Sequence, residues 1–156
     1  MEERLPQVQA ATRSACLRMT GTRLEALLDS ADRASCLAAR SQWGHKAAAY
    51  AEIFDLLAEA AGDPAAERAL ASTARFMHGV MLAAGRGTDG MIASSRRRLL
   101  ACLRAGDAEG AALEMGEHLR DLHFMWRLVC PGGELAAALG ARVPPPAPST
   151  AAPGRA

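Results

Sequence analysis

Apolar residues recur at three- and four-residue intervals along nearly the whole chain, the period of helices that bury one face. A first helix is predicted from about Glu2 to Arg18, and a second, capped by Thr20 or Thr22, carries Leu24, Leu27, Leu28 and Ala31 on one side. A third begins near Ser41, presents Trp43, Ala47, Tyr50 or Ala51, Phe54, Leu57 and Ala61, and stops at Gly62. Asp63 followed by Pro64 sets a capping carboxylate ahead of a proline at the first helical position. The helix so opened lines up Leu70, Ala74, Met77, Met81 and Ala84. After a glycine-rich stretch from Gly85 to Gly90, a fifth helix from about Thr88 or Asp89 buries Ile92, Ser95, Leu99 and Cys102 or Leu103. The turn Gly106-Asp107 separates it from a sixth, with Ala111, Met115, Leu119, Leu122, Trp126 and Val129 inward, that closes at Pro131.

Composition agrees with this pattern. The chain has 156 residues, half of them apolar, enough for one core, and its abundance of alanine with few β-branched residues favours helix throughout. The fold class is therefore all-α, with one domain over 1–130. The segment 131–156, ending in PPPAPSTAAPGRA, buries too little apolar area to order itself and reads as a tail. Lys and Arg number 18 against 17 Asp and Glu, so no bulk positive field gathers phosphates, which argues against nucleic-acid binding by this chain alone. Cys16, Cys36, Cys102 and Cys130 form no CxxC pair and suggest buried thiols in a reducing, cytoplasmic setting. Neither a signal peptide nor an apolar run long enough for a membrane span is evident.

Three segments carry a resemblance: RMTGTRLEALL, IFDLLAEAAGDP, and SSRRRLLACLRAGDAEGAALEMGEHL. In that order they resemble the FCD domain, the ligand-binding half of FadR-like GntR transcription regulators, over about Leu5 to Leu128. The resemblance implies an antiparallel bundle of six or seven helices around a central cavity, usually a homodimer, that binds a small metabolite. Many members hold a divalent metal, zinc or similar, on an aspartate and several histidines. Here Ala51 stands at the aspartate position, Asp55 at the first histidine and Arg96 at the next, while His118 is retained and His78 matches a further histidine of some members.

The residues themselves leave alternatives open. Arg96 has Ile92, Leu99, Leu100 and Leu103 as helical neighbours and so points toward apolar surface. It either clamps a bound carboxylate, snorkels along the core, or pairs with Asp55 or Glu114. His118, between Met115 and Leu122, is an inward ligand or a hydrogen-bonded core histidine. His78 reads more simply as packing, and Asp55 as a metal ligand, a partner of Arg96 or a solvated carboxylate. A metal would draw on Asp55, His78 and His118. His45 and His123 read as structural or exposed, and the methionines as core.

The expected function is an effector-binding and dimerisation module that takes a small organic acid on Arg96, His118, His78 and Asp55. DNA would be reached only through a winged helix-turn-helix, for which the segment before the first helix leaves no room. A metal-dependent enzyme on a helical bundle is the rival from another class, weakened because Glu114 and His118 are spaced by four rather than as Glu-x-x-His. A purely structural dimerisation domain is the third.

Overall fold

The computed structural model describes residues 4–84 and 89–129; the anticipated start at Glu2, most of the glycine-rich stretch, Cys130 and the tail fall outside them. Six helices make up the described chain: α1 (Leu5–Leu17), α2 (Gly21–Ala39), α3 (Trp43–Ala61), α4 (Pro64–Ala84), α5 (Asp89–Ala105) and α6 (Ala108–Val129). All four described connections are only two or three residues long, which sends each helix back along its predecessor.

Local chemistry sets these boundaries. Pro6 lies in the first turn of α1, where its missing N–H costs nothing. Of the two threonines offered by the sequence, Thr20 is the cap, accepting from the Arg23 N–H. Gly62 and Gly106 turn left-handed at φ +61° and +68°, a conformation glycine adopts without a Cβ clash. The aspartate after each glycine then caps the next helix: Asp63 accepts from the Ala66 N–H at 2.9 Å and Asp107 from the Gly110 N–H at 2.8 Å. Between α2 and α3 no glycine is available. Ser41 itself takes φ 57° and the Gln42 N–H closes back on the Leu37 carbonyl at 3.0 Å. Ser41 therefore lies in the turn between α2 and α3 rather than opening α3, which starts at Trp43.

Helix α3 is the axle of the bundle, flanked by α2 and α4 and crossed by α1; α6 packs on α1 and α5. Tyr50, Phe54 and Leu57 from α3 meet Met77 from α4 and Met115 and Leu122 from α6 in the interior, all buried. The ambiguous stripe positions resolve to Tyr50 over Ala51 and to Leu103 over Cys102. Cys16 is buried as expected of a core thiol, but Cys36 is exposed, because it lies beyond the inward face of α2 marked by Leu27, Ala31 and Ala34. Arg13 of α1 reaches Glu109 of α6 through two parallel bonds of 2.5 and 2.7 Å at the surface. Helix α5 is held mainly by α6 and touches α2 only lightly.

Candidate functional site

His118 lies at the centre of the molecule with no exposed surface, and side chains from two other helices hold its ring. Its Nε2 is 2.7 Å from the Tyr50 hydroxyl of α3 and its Nδ1 2.5 Å from Ser95 Oγ of α5. One tautomer satisfies every group: Tyr50 O–H donates to Nε2, Nδ1–H donates to Ser95, and the Ser95 O–H continues to the Ile92 carbonyl at 3.4 Å. Phe54 stacks on the same ring, centroids 6.4 Å apart and planes inclined by 23°. Burial, followed by the positive charges of Arg96 and Arg98, pushes the imidazole down to about 3, so it is neutral at physiological pH. Burial likewise lifts the Tyr50 phenol above its ordinary range, with Arg96 opposing.

Arg96 stands at the edge of this polar centre, 7 % exposed, as the apolar neighbours along α5 require. Its guanidinium lies over the Tyr50 ring, 5.4 Å from the centroid, and donates to Ser35 Oγ of α2 at 2.6 Å. Neither acid foreseen as its partner is there. Glu114 is taken by Arg98 at 2.7 Å, and Asp55 is exposed. Among the described residues no carboxylate is within ion-pair distance of Arg96.

A cleft of about 260 Å³ opens beside Arg96, between α2, the start of α3 and the first half of α5. Its walls are Ala34, Ser35, Ala38 and Ala39 on one side and Ile92, Ala93 and Arg96 on the other, with Lys46 from α3. Lys46 is 4 % exposed, its ammonium 5.1 Å from the centroid of the Trp43 ring. Lys46 was not among the candidates drawn from the sequence. Its signal was present, because position 46 lies three residues after Trp43 and four before Tyr50, on the inward stripe itself. A larger groove of about 770 Å³ runs between α1 and α4, but Arg4, Arg68 and Arg75 along it are exposed and already solvated.

The other sequence candidates lie apart from the cleft. Asp55 faces outward on α3 beside Glu52 and Glu59; burial and these two neighbours raise its pKa, with Arg75 opposing. It sits one residue past Phe54, about 100° around the helix from the buried stripe. His78 is half-buried on α4, His123 half-buried on α6, and His45 exposed. Neither His118, His78 nor Asp55 lines the cleft. No three His, Cys, Asp or Glu side chains converge on a metal position among the described residues. Both His118 nitrogens are engaged, Asp55 is outside and a cation occupies position 96, so these residues do not fit the divalent ion of the family's usual site.

The all-helical bundle and its polar centre agree with one family. The chain matches the model of the FCD domain over residues 9–121, from α1 into α6, and it belongs to that family. The FCD domain is the C-terminal effector-binding domain of GntR-type transcription regulators. No curated protein and no solved structure matches the chain. No helix among the described residues is long and apolar enough to cross a membrane.

Proposed function

We propose that this FCD domain senses a small organic acid whose carboxylate binds Arg96 in the cleft between α2, α3 and α5. The observation that carries this reading is a cation 93 % removed from solvent, on the wall of a cleft, with a serine and an aromatic face for company in place of a carboxylate. Desolvating a guanidinium without a counter-charge costs several kcal/mol, and an incoming carboxylate offsets this through bidentate bonds. His118 acts through Tyr50: by accepting its hydroxyl proton it fixes the ring on which the guanidinium rests. The cytoplasmic module works as a pair of identical copies, the family's usual state, and passes the occupancy of the cleft to a DNA-binding partner domain. It carries out no reaction of its own.

The test is a thermal-shift and calorimetric screen of small carboxylic acids on the wild type and Arg96→Ala, with light scattering to give the number of copies. At a hundredfold excess over Kd a binding acid stabilises the wild type by about 2.7 kcal/mol, and Arg96→Ala loses that gain. The reading fails if no acid stabilises the wild type, or if the variant responds equally.

A further inference from the structure

Helix α6 carries large apolar residues on two sides. One side is the core; the other faces solvent, where Leu113 and Phe124 are 65 % and 56 % exposed and Leu128 continues beyond them. At 100° per residue, Leu113, Glu117, Arg120 and Phe124 fall within an arc of about 60°. That arc runs between the α1 side, where Gln9 lies over Gly116, and the α5 side, where Arg98 holds Glu114. Glu117 and Arg120, paired with each other and both exposed, stand in its middle. The other large apolar side chains exposed among the described residues, Leu17 and Leu82, stand singly near helix ends, as isolated surface leucines commonly do.

The order of these four positions is palindromic. Leu113 precedes Glu117 by four residues, and Phe124 follows Arg120 by four. A two-fold axis midway between Glu117 and Arg120 therefore brings two antiparallel copies of α6 together with Glu117 against Arg120 and Leu113 against Phe124, each contact made twice. A parallel pairing sets Glu117 on Glu117 and Arg120 on Arg120, which like charges oppose. We propose, resting on the paired state given above, that two copies of the chain meet on this face of α6, antiparallel about that axis. Within one chain the exposed Glu117–Arg120 pair contributes little. Between copies it fixes register and direction, while Leu113 and Phe124 leave water.

Light scattering and sedimentation of the full chain test this with charge reversals at the two exposed positions, which leave the core untouched. Glu117→Arg sets arginine against arginine and Arg120→Glu sets glutamate against glutamate, so each variant alone is expected to pair on the order of a hundredfold more weakly. Mixed in equal amounts, the two variants place opposite charges at every cross-contact and recover the dimer, an effect beyond any role within one helix. Weakening without recovery on mixing overturns the antiparallel contacts. Pairing of unchanged strength in both single variants overturns the assignment to α6 and leaves the paired state standing, whereas a monomeric wild type overturns both. Phe124→Ser is expected to lower the mass in the same way. Lost thermal stability in that variant with the mass of the wild type gives the stripe to another part of the same chain and likewise overturns the inference.

Discussion

His118 is wholly buried with both ring nitrogens bonded, and burial keeps it neutral, which ties folding to pH. In the folded chain it is neutral down to about 3, whereas in the unfolded chain it gains a proton near its ordinary value of 6.5. The unfolded state therefore binds more protons throughout that interval, and stability falls as the medium is acidified. Between neutrality and pH 5, above the range of ordinary carboxylates, this one group is expected to remove about 2 kcal/mol. Urea denaturation at stepped pH measures the effect, and His118→Gln, less stable overall, shows a slope smaller by one proton. An identical slope in the variant would show that His118 does not carry it. Helical neighbours in the sequence were enough to point Arg96 and His118 inward, and both are buried. They were not enough to show what each one touches: Tyr50, Ser95 and Ser35 come from helices distant in sequence. Asp55 shows the opposite limit. Its place in a motif drew attention to it, while its rotation past Phe54 turns it outward beside Glu52 and Glu59.

Among the elements, the same Gly-Asp pair joins α3 to α4 and α5 to α6, and the two copies differ in their surroundings. A Cβ at Gly106 meets nothing within 4 Å, whereas at Gly62 it comes to 2.8 Å from Arg18 Nη1, the group that donates to the Ala61 carbonyl at 3.1 Å. Gly106→Ala is therefore expected to cost only the left-handed backbone penalty, about 1–2 kcal/mol. Gly62→Ala should cost more, because Arg18 must also move away from the carbonyl it caps. Chemical denaturation of the two variants checks the order, and Arg18→Ala combined with Gly62→Ala should bring the glycine effects together. These junctions were legible in advance because glycine, aspartate and proline each leave a mark tied to a backbone need. The α2–α3 junction lacks such residues, and its boundary was read two residues early for that reason: a serine in a left-handed conformation has no signature in sequence.

For the whole molecule, the bundle is unevenly joined. Helix α3 is enclosed by neighbours, while α5 leans on α6 and leaves its side toward α2 thinly packed, where the cleft lies. A carboxylate held there on the proposed reading would contact α2 through Ser35 and α5 through Arg96. Amide exchange is expected to slow on binding in the second half of α2 and the first half of α5, and to stay unchanged in α4. Uniform slowing over all six helices would instead indicate a general rise in stability. The helical class and family were readable from periodicity and three short segments, but the seam was not, since it depends on which helices fail to meet.

The thin contact between α2 and α5 gives the domain an incomplete seal, and on its wall stands the buried guanidinium of Arg96. An anion bound there would add a contact that the two leaves do not make by themselves. The domain would then read its metabolite as the missing part of its own interior, and the signal it sends would be the difference between a bundle left ajar and one made whole.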